Sequence, residues 1–131
     1  MSIAFADTFY WLALLNMSDP ENARVNAYPV PARLVTSAAV QVEVMDAFRK
    51  VPSRATAMRF WEACFTTPDL EVVPFSVDLL ARSVALFAAR PDKAWSLTDC
   101  ISFTIMQDRG IRLALTGDHH FVQAGFGICF P

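Results

Sequence analysis

The chain has 131 residues, 54% of them hydrophobic and only 18% charged, against about 25% charged in an ordinary globular protein. That is one domain's worth of chain, enough to bury about two thirds of its unfolded surface and to leave apolar area for a partner or a second copy. A net charge of −2 excludes a protein that grips nucleic acid through an overall basic surface, so contact with RNA requires local positive charge or metal ions.

Residues 3–6 form a short apolar run that stops at Asp7, and apolar positions at Phe9, Leu12 and Ala13 then lead to Asn16 with helical spacing. The pattern predicts a buried strand followed by a helix. Asp19-Pro20 has the form of a helix start, and Pro29 and Pro31 end what it begins. Leu34–Thr36 is a second strand, and Ser37 caps a helix to about Arg49. Ser53 opens another helix, closed by Thr66-Thr67-Pro68.

Residues 70–75 form a strand containing Pro74, and proline cannot donate to a ladder, so this strand belongs at a sheet edge. Ser76 then caps a helix with Val77, Leu80, Ala81, Val84, Phe87 and Ala88 on one stripe, stopped by Pro91. Ser96 caps the next helix, and Gly110 stands where its C-terminal cap belongs. Ile111–Thr116 and 127–130 complete the strands. Alternating strands and helices imply right-handed crossovers, hence a three-layer α/β/α sandwich with a central parallel sheet, read as a single unit over residues 1–131.

No apolar run approaches the roughly 18 residues needed to cross a bilayer. The apolar N-terminal stretch lacks the positive flank of a signal peptide, since the first basic residue is Arg24. Cys64, Cys100 and Cys129 are too scattered for a disulfide framework or a zinc site, so a reducing, cytoplasmic setting is expected and no membrane association.

Ligands of such sheets bind beyond the carboxyl ends of the strands. Asp7 ends the first strand, Asp118 follows the strand ending at Thr116, and Asp99 lies in the first turn of the helix after Ser96. Glu43 lies mid-helix beside the apolar positions Val40, Val44, Ala47 and Phe48. Each acid has an ordinary structural role open to it. Asp7 suits an N-cap, Ser96 to Asp99 resembles a capping box, Gly117-Asp118 suits a turn, and Glu43 can reach solvent or pair with Arg49 or Arg59. Gathered at one rim they would repel one another. A hard divalent cation relieves that repulsion and suits phosphodiester cleavage.

His119 and His120 are adjacent and cannot easily both face one metal, so they read as surface residues. Trp11, Trp61 and Trp95 read as core or interface, while Arg90 and Lys93 flank the rim and are candidates to meet phosphate. No phosphate-binding glycine loop, dinucleotide fingerprint or serine-hydrolase elbow is present.

The stretch Asp92-Lys93-Ala94-Trp95-Ser96-Leu97-Thr98-Asp99-Cys100 closely resembles a signature of PIN-domain proteins of the VapC toxin type. So do Ser102-Phe103, Arg109-Gly110-Ile111, Ala114-Leu115-Thr116-Gly117-Asp118-His119-His120-Phe121 and Ala124-Gly125-Phe126. Phe5-Ala6-Asp7-Thr8 with Trp11–Asn16 matches the family's first strand and helix, and Leu34 through Glu43 its second strand and glutamate-bearing helix. The last third is the specific part, whereas 51–73 is generic.

The resemblance implies an endoribonuclease dependent on Mg²⁺ or Mn²⁺, the toxin of a toxin–antitoxin pair, acting as a homodimer on RNA and held by a small antitoxin. It assigns Asp7, Glu43, Asp99 and Asp118 as the catalytic and metal-holding acids, with Thr116 as the polar residue beside the last. One departure is the short, proline-rich stretch from Asp19 to Arg33, which puts partner identity in question more than chemistry. Two other functions remain compatible: an RNA-processing nuclease of the same fold outside a toxin system, and a non-catalytic protein-binding module whose acids are only caps.

Overall fold

The computed structural model describes residues 2–131. The strands are β1 (Ile3–Ala6), β2 (Arg33–Ser37), β3 (Leu70–Val73), β4 (Leu113–Leu115) and β5 (Gly127–Ile128). The α-helices are α1 (Thr8–Leu15), α2 (Asn22–Ala27), α3 (Ala38–Ala47), α4 (Arg54–Thr66), α5 (Val77–Ala89), α6 (Leu97–Arg109) and α7 (His119–Gln123). Every strand pairing is parallel, and the order is β3-β2-β1-β4-β5. This is the expected α/β architecture. Central β1 buries Ala4, Phe5 and Ala6 completely, as a parallel strand covered on both faces must.

The chain runs outward from β1 to β2 and β3, then returns across the sheet to β4 and β5 on the other side of β1. Right-handed crossovers in opposite directions put the intervening helices on opposite faces. Consistent with this, α3 packs on α1 and α4, while α6 packs on α5 and α7. The direction reverses between β1 and β4, and such a switch point opens a crevice at the strands' carboxyl ends. Ala6 of β1 stands in register with Leu115 of β4, so the residues that follow these strands emerge side by side.

Local signals placed most boundaries. The Ser37, Ser76 and Ser96 hydroxyls each accept an N–H from the first turn of their helix. Gly110 closes α6 at φ 64°, a left-handed conformation that glycine adopts without strain. The strand before Pro74 is at the sheet edge as expected, but it ends at Val73, leaving the proline just outside the ladder. Helix α2 begins at Asn22 rather than at Asp19-Pro20, because the Asp19 carboxylate accepts the Glu21 N–H and holds these residues in a turn. The helix opened by Ser37 stops at Ala47, two residues short of Arg49.

The apolar stripe of α5 lies outward. Val77, Leu80, Val84 and Phe87 are exposed, while Leu79 and Ser83 face α6. The Ser83 hydroxyl donates to the Leu79 carbonyl and lies 3.3 Å from Thr104 Oγ1, so a small polar pair, not the apolar stripe, makes the close approach. Among the described residues no helix is long and apolar enough to cross a membrane, and the three cysteines are free.

Candidate metal centre

Where β1 ends, the backbone N–H of Asp7 still bonds the Leu115 carbonyl, so Asp7 and Thr116 leave the sheet together. Asp7 occupies the N-cap position of α1 yet makes no cap hydrogen bond with its side chain. Its carboxylate accepts instead from Thr116 Oγ1 at 2.9 Å. That hydroxyl in turn accepts the Asp118 N–H at 3.1 Å. One buried threonine thus ties the first acid to the last.

Gly117 lets this loop close. A Cβ there would stand 2.8 Å from the Phe9 ring and 2.9 Å from the Phe130 carbonyl. Asp118 then caps α7, accepting the His120 N–H at 2.9 Å. Helix α7 is an element the sequence pattern did not reveal, since five residues carry no readable period.

Asp99 has both a structural and a site-facing role. Ser96 and Asp99 form a reciprocal capping box at the start of α6, so its carboxylate is fixed in the first turn, where the helix dipole favours a negative charge. The same Oδ2 lies 3.0 Å from His120 Nδ1, which is also 3.4 Å from Asp118 Oδ1. Glu43 approaches from α3 and accepts the Thr8 hydroxyl at 2.5 Å. Among the described residues it forms no ion pair with Arg49 or Arg59, which bond to Asp46 and Thr56.

These side chains share one cavity of about 400 Å³, lined by Asp7, Thr8, Phe9, Glu43, Ala94, Ser96, Asp99, Asp118 and His120. All four acids expected from the sequence are therefore present in it. The tightest donor group is Asp99, Asp118 and His120, whose ligand-type atoms lie within 4.8 Å of one another. The adjacency of His119 and His120 predicts surface residues, whereas the structure brings His120 into the cavity. The available signal was its place two residues after an N-capping aspartate, which puts it in the first turn of α7.

Burial pushes the Asp7 carboxyl up to about 7, with Asp99 and Asp118 adding to the rise and the Thr116 hydrogen bond opposing it. The ionised cluster is thus unfavourable by itself. The cavity lining offers carboxylate oxygens and one imidazole, chemistry that suits a hard or borderline divalent cation. Arg90 is bound to Asp92 through both ends of its guanidinium and stacks on Trp95, so it is less available to phosphate than the sequence suggested. Trp11 and Trp95 are core residues and Trp61 is exposed.

A family model of the PIN domain matches residues 4–127. The chain belongs to the PIN domain family. This PIN domain is similar to VapC20 of Mycobacterium tuberculosis, a toxin that cleaves the sarcin–ricin loop: TM-score 0.84 and 25% identity over 95% of this chain and 96% of that one. It is also similar to a toxin–antitoxin complex from Klebsiella pneumoniae, with TM-score 0.66 and 21% identity over 96% and 95% of the two chains. A third similar structure is VapBC2 of Rickettsia felis bound to a promoter DNA fragment, with TM-score 0.67 and 13% identity over 97% of each chain. The last two likenesses are of fold alone. A search of curated protein sequences finds no match. PIN nucleases generally use divalent metal, which agrees with the donor set of this PIN domain.

Proposed function

We propose that this chain, read as one nuclease unit over residues 1–131, is a Mg²⁺- or Mn²⁺-dependent endoribonuclease and the toxin of a toxin–antitoxin pair. The observation that carries the reading is the convergence of Asp7, Glu43, Asp99 and Asp118, from four separate elements, on one cavity at the switch point of the sheet. Caps alone do not account for it. Asp99 and Asp118 do cap helices, but Asp7 is buried with no side-chain cap bond, and an ionised carboxyl buried with no cation beside it is costly.

Asp7, Asp99 and Asp118 would hold the ion, with Glu43 facing it from α3. The ion supplies Lewis acidity at the scissile phosphate and lowers the pKa of a water. The protein's part is positioning. The capping box fixes Asp99, the Thr116 hydroxyl and the His120 N–H orient Asp7 and Asp118, and the Thr8 hydroxyl orients Glu43. Burial raises the Asp7 carboxyl to about 7, so binding of a cation there would have to displace its proton.

The exposed apolar residues support two partners. Val77, Leu80, Val84 and Phe87 alternate by three and four along α5, the spacing at which two helices pack along a seam, and a second copy of the chain fits that face. A groove beside α3, lined by Val42, Met45, Trp61 and Phe75, suits an apolar antitoxin segment. The setting is cytoplasmic.

The deciding experiment incubates purified protein with structured RNAs, a sarcin–ricin loop hairpin among them, in Mg²⁺, Mn²⁺ or EDTA. Cleavage with either ion, abolished by EDTA and reduced by orders of magnitude in Asp99→Asn, is expected. Equal cleavage in EDTA would refute the metal-dependent reading. Growth arrest on expression, relieved by a small co-encoded protein, distinguishes a toxin from an RNA-processing nuclease.

A further inference from the structure

The chain has two histidines, adjacent in sequence, and the fold treats them differently. His119 is exposed, whereas His120 is half-buried and lines the acidic cavity. Its place follows from helix capping. Asp118 accepts the His120 backbone N–H, so both side chains emerge at the start of α7, facing the start of α6 with Asp99.

His120 Nδ1 stands 3.0 Å from Asp99 Oδ2 and 3.4 Å from Asp118 Oδ1. Two donors held side by side on one small divalent ion, each about 2.1 Å from it, stand about 3 Å apart. The His120–Asp99 separation therefore matches neighbouring ligands of one ion as well as it matches a hydrogen bond, and the ligand-type atoms of all three residues lie within 4.8 Å of one another. A neutral imidazole coordinates through whichever ring nitrogen carries no proton.

We propose that His120 is itself a ligand of the divalent ion, binding through Nδ1 beside Asp99 and Asp118. This rests on the metal-dependent reading of the cavity. It makes the site one of oxygens and a single nitrogen, in place of a purely carboxylate set. Imidazole binds first-row transition ions more readily than Mg²⁺, so His120 biases the cavity toward Mn²⁺.

The test uses untagged protein in a nitrogen-free buffer, loaded with Mn²⁺ at less than one equivalent. Electron spin echo modulation reads whether a nitrogen is bonded to the manganese. The key variant is His119→Asn, which leaves His120 as the only imidazole in the chain. Nitrogen modulation should appear in the wild type and in His119→Asn. It should vanish in His120→Asn, whose side-chain amide can keep a hydrogen bond to Asp99 while removing the ring.

Calorimetric titration should show His120→Asn binding Mn²⁺ more weakly, with a smaller change for Mg²⁺. Bound manganese without nitrogen modulation in His119→Asn overturns the ligand assignment and leaves the acidic metal site standing. Modulation that persists in His120→Asn also overturns it. Failure of all three proteins to bind Mn²⁺ removes the metal site itself, and His120 with it.

Discussion

Asp7 shows most clearly how a site residue differs from a structural one. At a helix start an aspartate ordinarily caps, but this one bonds Thr116 and is held, buried, with its carboxyl raised from 3.8 to about 7. A carboxyl raised in the folded state opposes folding once it ionises. For Asp7 that penalty is absent below about pH 4, grows with rising pH, and is complete above about pH 7. Asp7→Asn removes the charge but keeps an oxygen to accept from Thr116. Metal-free Asp7→Asn should therefore be more stable than wild type at pH 8, by at most about 4 kcal/mol, and the gap should close toward pH 4. Urea denaturation in EDTA across this range measures it. A variant no more stable than wild type at pH 8 would show that Asp7 is better solvated than its burial implies. Neither the burial nor the Thr116 bond was legible in sequence, because the partner lies 109 positions away.

Short elements and turns set the precision of the centre. The capping box at the start of α6 and the Asp118 cap of α7 each fix a carboxylate by local hydrogen bonds, and such contacts were partly readable. Ser96, Asp99 and Gly110 stand where their spacing predicted. The Gly117 loop was read only as a turn, whereas its requirement is contact with Phe9 and Phe130 from both ends of the chain. The Phe9 ring can shift, but the Phe130 carbonyl is backbone. Gly117→Ala should destabilise the protein by about 1–3 kcal/mol and displace Asp118, weakening Mn²⁺ binding. A thermal melt and a metal titration check this, and an alanine variant matching wild type in both would show that the loop moves freely. Helix α7 escaped the sequence pattern because five residues are too few to show a period, whereas the last strand, predicted over 127–130, is present but shorter, at Gly127–Ile128.

For the molecule as a whole, assembly depends on what covers its apolar surface. The pattern on α5 reads like that of a core helix, yet the fold turns Leu79 and Ser83 inward and leaves Val77, Leu80, Val84 and Phe87 in solvent. Helical spacing reveals that a face is apolar, and cannot say whether the chain's own core or a second copy covers it. If a second copy does, the wild type should run as a dimer at tens of micromolar by light scattering. The double variant Leu80→Glu with Val84→Glu should be monomeric, with its melting temperature extrapolated to low protein concentration nearly unchanged, because both positions are already exposed. A monomeric wild type, or a variant that remains dimeric, would place the contact elsewhere.

The sequence by itself determined the presence and order of the strands along the chain, the serine caps, the αL glycine after α6, the parallel α/β class and the family likeness. These depend on interactions within a few residues: backbone hydrogen bonds, φ preferences, and apolar runs of strand or helix length. Only the tertiary structure decided the strand order with its switch point between β1 and β4, the outward turn of α5, and the choice of His120 over His119. It also decided that Asp7 is a buried acid bound to Thr116 and that Asp99 caps a helix while facing the cavity. Each of these turns on which distant surfaces meet, and burial and charge proximity arise only when residues from separate elements are packed together.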